Sequence, residues 1–394
     1  MTTYKLTPYE ETLEILKRLR LHEPRIEERY IWDAYGMISA EEIRAPKNLP
    51  EKPLAAMDGY AISTNDLTRN EKLLISEIKI FPGTKTSVKL KSGEAIYVST
   101  GSPLPEGADA VVRVESARVE DRYIIPISKI YPGKDVFSVG EVVREGEVII
   151  RRGDPVTPYI ISLLVQLGVY RIKVYRPRIT LFSVGDELVS YRDLGSEGVR
   201  DTSTLMIQLV LSRFSDTRYL GVLPDDKEVI KRRIIEASQE SDVIVTVGGS
   251  SAGEKDLVKE VIREEGELLF EGVDINIVKP TGLGLVNNKP IITAPGLCVG
   301  ASLALHEYIL RLIEILTNSR IREELELELL EDVIVERKMN SAYLFKVIDY
   351  KYAKPLRWGM ALCKELAEAD GYSFLRRDKE YKRGDKIRVT LFLK

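Results

Sequence analysis

Apolar and polar positions follow several different rhythms along this chain, and each change of rhythm marks a change of architecture. Near the N-terminus, Leu13, Leu16 and Leu19 follow the segment TPYE at helical spacing. Thr7 to Glu10 has the form of a capping box with Pro8 at the first helical position, so a helix is predicted there. From Arg44 the run RAPKNLPEKP interrupts regular structure, and up to Gly133 glycine and proline punctuate short runs such as AIYVST and DAVVRV. That is the pattern of a mostly β insertion. Helix is predicted again over TPYIISLLVQLG, capped by Thr157, begun at Pro158 and stopped by Gly168.

Between about Pro177 and Ser319 short apolar runs alternate with helical patterns. The predicted strands are RITLFSV, TRYLGVL, DVIVTV and KPIITA, with helices over 205–214, 226–238 and 257–264 and a long helix through ASLALHEYILRLIEIL. Such alternation predicts a doubly wound, mostly parallel α/β sheet, whose ligands bind outside the carboxyl ends of the strands. After the acidic run REELELELLED, the period-two patterns of ERKMNSAYLFKVIDYKY and KIRVTLFLK predict a small C-terminal β domain.

Composition narrows the function classes. In 394 residues, 44% are hydrophobic and 30% charged, enough for several cores inside a well-solvated exterior. The net charge of -3, with both signs interspersed, argues against a nucleic-acid-binding field. Two cysteines, Cys298 and Cys363, are too few for a disulfide framework, and a reducing cytoplasm is expected. With His22 and His306 as its whole histidine complement, the chain cannot build a multi-imidazole zinc site, which leaves carboxylates and phosphates as ligands for a hard cation. No apolar run approaches membrane-spanning length, and the polar, amphipathic N-terminus is unlike a signal peptide.

Three candidate site segments fall just after predicted strands: Gly185-Asp186-Glu187, the loop GGSSAGEKD from Gly248 to Asp256, and Pro295-Gly296. In the loop, Gly248 and Gly249 permit close backbone approach, Ser250 and Ser251 offer hydroxyls, and successive amides lead into a helix N-terminus that favours an anion. Asp256 would hold heterocycle N–H groups or a phosphate-bound magnesium, or would simply cap the helix. Asp58 in AAMDGYAI, and Ser99, Thr100 and Asp109 in STGSPLPEGADAVV, read in isolation as turn chemistry. The chain has neither GxGxxG opening a βαβ unit nor GxxxxGK[ST], so a dinucleotide dehydrogenase and a P-loop ATPase are disfavoured.

Taken in order, EEIRAPKNLPEKPLAAMDGYAI, STGSPLPEGADAVVRVE, SVGDELV, LGVLPDDKE, SDVIVTVGGSSAGEKDLV, VKP and APG, then MALCKELAEADGYSFL and GDKIRVTLF, resemble the family of MoeA and the gephyrin E domain across essentially the whole chain. The resemblance implies α/β plus β architecture in four domains. These are a discontinuous N-terminal helical and linker domain (1–44 and 140–176), a β-rich insertion (45–139), an α/β molybdopterin-binding domain (177–326) and a C-terminal β domain (327–394). It also implies a cytoplasmic homodimer with a magnesium-dependent activity, the insertion of molybdate or tungstate into adenylylated molybdopterin with release of AMP. Implied partners are a molybdopterin adenylyltransferase and apo-molybdoenzymes or tungstoenzymes, with no nucleic acid or membrane. By motif, Asp58, Thr100, Asp186, Glu187 and Asp201 carry over as catalytic residues, with Asp58, Asp186 and Glu187 also as metal ligands. Ser99, Gly248, Gly249, Ser250, Ser251, Asp256, Lys279, Pro295 and Gly296 carry over as cofactor-binding.

The chain departs from the family pattern where charge is expected. Phe137 stands for an arginine, Val142 for an aspartate and Gly282 for a second lysine, while Val184, Leu297 and Cys298 also differ. Cofactor binding with slow metal insertion is therefore expected, partly rescued by Phe137→Arg, Val142→Asp and Gly282→Lys together. A noncatalytic molybdopterin-binding paralogue, or an enzyme acting on another pterin or nucleotide phosphate, are the alternatives.

Overall fold

In the computed structural model the first helix, α1 (Tyr9–Arg18), forms where the leucine spacing predicts it, but it is capped differently. The structure describes residues 5–84, 88–249, 256–335, 339–357, 359 and 363–393. Pro8 sits at the N-cap without a side-chain hydrogen bond, and Thr7 is drawn into a parallel bridge with Val273. Its N–H donates to Gly272 O at 2.9 Å and its carbonyl accepts from Asp274 N at 3.0 Å. Backbone pairing with a neighbouring segment has displaced the local capping box.

The alternating region builds one six-stranded sheet. Its strands are β1 (Arg178–Val184), β2 (Asp216–Leu223), β3 (Val243–Gly248), β4 (Gly266–Phe270), β5 (Gly282–Val286) and β6 (Lys289–Ala294), in the spatial order β2-β1-β3-β6-β5-β4. The first four in that order run parallel, while β5 and β4 form an antiparallel edge. Both faces are covered, as near-continuous apolar strands require. In β1, Ile179 and Leu181 face a core shared with α2 (Thr202–Leu211), whereas Phe182 and Val184 face one shared with α3 (Lys227–Glu240) and α4 (Leu257–Glu265). The first core also takes in the long helix expected from the sequence, which runs unbroken through α5 (Cys298–Ala304) and α6 (Leu310–Thr317). A fully buried π-helical turn, Leu305–Ile309, joins them and shifts the buried face by one residue.

The hydrophobic pattern predicts β1, β2, β3 and β6 but not β4 and β5. The glycines of GLGLV hide β5 because they are needed for packing: a side chain at Gly284 would collide with Ile262 of α4 and the Glu267 carbonyl.

The C-terminal segment closes into a five-stranded barrel of Glu324–Leu329, Ser341–Ile348, Tyr352–Pro355, Gly371–Leu375 and Lys386–Leu391. The acidic run supplies its first strand. Leu327 and Leu329 are buried, while Glu326 and Glu324 face outward to Lys386 (3.0 Å) and Arg388 (3.7 Å) on the adjacent strand. A disulfide between Cys298, which opens α5, and Cys363, which opens α7 (Cys363–Glu368), closes a 65-residue span.

The chain divides into two compact units, one of Met1–Glu41, Arg151–Ile161 and Tyr170–Lys394 and the other of Glu42–Ile150 with Ser162–Val169. In the first unit the N-terminal segment meets the returning chain as strand, Ile26–Tyr30 pairing antiparallel with Arg171–Tyr175. The second unit contains a mixed six-stranded sheet in the spatial order Ala110–Arg113, Gly59–Ile62, Glu94–Val98, Leu73–Ile80, Tyr123–Pro126 and Ala117–Glu120. Among the described residues, no helix is long and apolar enough to cross a membrane.

Candidate functional site

Four segments of the first unit meet at one edge of the α/β sheet. Register aligns the strand ends, with Val184 opposite Leu223 and Gly248, Val247 opposite Ala294, and the start of antiparallel β5, Gly282, opposite Thr293. Gly185-Asp186-Glu187, Gly248-Gly249, Pro295-Gly296 and Lys279-Pro280 therefore leave the sheet together. Consecutive left-handed residues, Gly248 (φ +82°) and Gly249 (φ +73°), turn the chain after β3. A side chain at Gly248 would lie 2.8 Å from the Val184 carbonyl, and Gly248 Cα is 3.6 Å from where one would project at Gly296. Glycine is thus required by close approach as well as by backbone conformation. Ser250 and Ser251 lie outside the described residues.

Asp186 and Glu187 are exposed. Asp186 is bracketed by Asp225: Asp225 N donates to Asp186 Oδ1 (3.1 Å) and Asp186 N to Asp225 Oδ2 (3.3 Å). Asp225, from the LPDDKE segment, is a site neighbour that strand-end reasoning alone missed. The Glu187 carboxylate folds back over Gly185, 2.8 Å from where a Cβ would project.

Asp201, expected to be catalytic, is buried as the N-cap of α2. It accepts from Thr204 N (3.1 Å), Ser183 Oγ (2.7 Å) and Tyr219 Oη (2.9 Å). Burial and then the charge of Asp201 push the Tyr219 hydroxyl up to about 12, against a hydrogen bond with Ser190 that lowers it. Accepting from these three donors, Asp201 orders the strand-to-helix turn at the head of α2.

Asp256 is the N-cap of α4 and accepts from Lys259 N at 3.2 Å. The Lys259 side chain turns inward, places Nζ 2.8 Å from Asp256 Oδ2, and donates to Pro280 O at 2.7 Å. Burial lowers the Lys259 ammonium, opposed by the Asp256 charge. In sequence the pair is an ordinary i,i+3 spacing, indistinguishable from a solvated helix-surface pair. Lys279 is half-buried beside Pro280, and its ammonium has no hydrogen-bond or ion-pair partner among the described residues.

In the second unit, Asp58 and Thr100 form a local pair. Asp58 Oδ1 accepts from Thr100 N (2.6 Å) and Thr100 Oγ1 (3.0 Å), and these bonds, the backbone one first, hold its carboxyl below the usual range. Gly59 is compulsory because any side chain there would strike the Val112 carbonyl. Ser99 closes the turn, its carbonyl accepting from Ser102 N (3.0 Å). Asp109 instead binds Thr64, through N (2.7 Å) and Oγ1 (2.6 Å). Phe137 and Val142 are 39% and 59% exposed, so neither departure was absorbed into a core.

Among the described residues no three carboxylate, imidazole or thiolate groups gather into a metal cage. Exposed Asp186 and its neighbour Asp225 nevertheless suit magnesium, which commonly uses one or two carboxylates together with substrate phosphate and water.

Residues 7–168 match the MoeA N-terminal region (domains I and II), and residues 180–315 match a family described as "Probable molybdopterin binding domain". A Methanocaldococcus jannaschii protein named for molybdopterin biosynthesis is 30% identical over 93% of this chain and 92% of its own length. The molybdopterin molybdenumtransferase of Haemophilus influenzae is 32% identical over 71% of this chain and 70% of its own. The crystal structure of a molybdopterin biosynthesis MoeA protein from Pyrococcus horikoshii superposes with a TM-score of 0.79 at 27% identity, covering 99% of this chain and all of that one. With the strand-edge segments in place and relatives matching nearly end to end, the chain belongs to the MoeA family.

Proposed function

We propose that this protein is a molybdopterin molybdenumtransferase that inserts molybdate or tungstate into adenylylated molybdopterin with release of AMP. The observation that carries this reading is the meeting of four ligand-suited segments at the carboxyl edge of the sheet, where open α/β sheets bind ligands. Gly248 and Gly249 bare backbone at the start of α4's approach loop, where amides suit a phosphate. Lys279 supplies a cation for phosphate or oxyanion, and Asp256 an acceptor for pterin N–H groups. Asp186 and Asp225 would hold magnesium, which when bound neutralises phosphate charge; Glu187 stands beside them to accept a proton. Within the second unit, Asp58 and Thr100 form a local pair, a carboxylate held below its usual range and a hydroxyl bonded to it. Asp201 positions this edge from beneath it.

The protein acts as a homodimer in the cytoplasm and passes its product to apo-molybdoenzymes or tungstoenzymes, after a molybdopterin adenylyltransferase supplies its substrate. Exposed Tyr30 and Trp32, stacked at 4.8 Å, with exposed Tyr35 nearby in sequence, support self-association. One disulfide is compatible with a cytoplasm of the kind found in hyperthermophiles.

A second reading, a noncatalytic cofactor-binding paralogue, is favoured by exposed apolar Phe137 and Val142 where the family carries charge. Incubation with adenylylated molybdopterin, magnesium and each oxyanion separates the two. AMP release with metal incorporation is expected; binding without either would favour the paralogue.

A further inference from the structure

We propose that Lys259 is a positioning residue that sets the Asp256 carboxylate for the bound cofactor and locks it to the Lys279-Pro280 segment. This rests on the strand edge being the cofactor site. Lys259 is only 1% exposed although it lies in the first turn of a helix, where a lysine would ordinarily reach solvent. Its Nζ bridges Asp256 Oδ2 (2.8 Å) and Pro280 O (2.7 Å), while its Cε passes 2.8 Å from where a side chain at Gly282 would begin. The absence of a side chain at Gly282 therefore makes room for the lysine stem.

A buried ammonium is strongly destabilising unless an anion and hydrogen-bond acceptors surround it, so this cation fixes both partners. Asp256 ends the Gly248 loop and Pro280 follows Lys279. One buried charge thereby holds the carboxylate suited to heterocycle N–H groups in register with the cation suited to phosphate. Asp256 Oδ2 is itself buried against Nζ, so the orientation of the whole carboxylate is set by Lys259, through Nζ at Oδ2 and the backbone N–H at Oδ1.

Calorimetric titration of the full chain with adenylylated molybdopterin tests the assignment, using wild type, Asp256→Asn, Lys259→Gln and the double variant, each beside a thermal melt. Each single change is expected to weaken binding by about tenfold, the scale of one charge-assisted contact. The double variant should lose little more than the weaker-binding single, because the two residues act as one unit. Wild-type affinity in folded Lys259→Gln, with a lowered melt alone, would overturn the proposal and leave Lys259 a purely structural cation. No affinity in the wild type would overturn the site reading itself. Should Lys259→Gln fail to fold, Gly282→Ala carries the test, because its Cβ presses the ammonium away without changing any charge. Reduced affinity in that variant is expected, and unchanged affinity would refute the positioning role.

Discussion

Gly282→Lys restores the lysine that the family pattern places there, and sequence reasoning expects it to help rescue metal insertion. The structure leads to the opposite expectation. Gly282 opens β5 and is buried against β6, its N–H donating to Thr293 Oγ1 at 2.8 Å. A Cβ at this position would stand 2.8 Å from Lys259 Cε, 2.9 Å from Thr293 Oγ1 and 3.2 Å from the Phe270 carbonyl. Two of those contacts are too short to persist, so Lys259 must move, and it can move only by loosening its hold on Asp256 and Pro280. Overpacking of this kind costs about 1–3 kcal/mol. Weakening a hydrogen bond to a charged group adds about 1.5–3 kcal/mol. The combined loss is then roughly 2.5–6 kcal/mol on the same scales. Urea denaturation followed by circular dichroism would measure it, with Gly282→Ala alongside, and single-turnover insertion would report function. Most of the loss should already appear in the alanine variant, since Cβ is the colliding atom, and neither variant should insert metal faster than wild type. A Gly282→Lys protein as stable as wild type with accelerated insertion would refute the reasoning. It would mean that the backbone yields and that charge, not space, was missing.

The other two family-like substitutions should behave differently. Phe137 and Val142 are exposed, so Phe137→Arg with Val142→Asp should change stability by no more than about 0.5 kcal/mol per site; if their charges serve the reaction, insertion rises without any shift of the denaturation midpoint. Asp256→Ala removes an N-cap, worth about 1 kcal/mol, and strands a buried ammonium, worth about 3–5 kcal/mol. Its melt should fall steeply together with its affinity, and an unchanged melt would mean that the ion pair contributes no stability. His306 is buried, its Nδ1 paired with Ser302 O (2.8 Å) and its Nε2 accepting from Leu393 N (3.1 Å). Burial pushes its value down to about 4, from 6.5. The native state thus holds the ring neutral, and stability is lost as pH falls from about 6.5 toward 4, by about 3 kcal/mol in all. Subtracting the His306→Asn denaturation curve from the wild-type curve across that window isolates this contribution, and a flat difference would exclude it.

How much could be read from the chain alone depended on whether the signal was local. β1, β2, β3 and β6 were visible because strands buried on both faces must be apolar throughout, and the Gly248, Asp186 and Pro295 segments could be placed after them because open α/β sheets bind ligands at strand ends. The ELELEL segment read only as an acidic run, and its role as a barrel strand emerged once its glutamates had cross-strand cations to face. Thr7 looked like a cap until Val273 offered it a backbone partner, and the glycines of β5 looked like loop until Ile262 pressed on them. In sequence Asp201 carried over by motif as catalytic, and Asp256 as cofactor-binding or simply a helix cap. Tertiary structure separated them, because Asp201 is buried under three donors, Ser183, Tyr219 and Thr204, whereas Asp256 caps α4 and pairs with a buried lysine. Lys259 itself could not have been singled out. Its sequence spacing specifies only a neighbour on a helix, and whether that neighbour meets water or a buried carbonyl was decided by the chain folding back at Pro280 and by the missing side chain of Gly282.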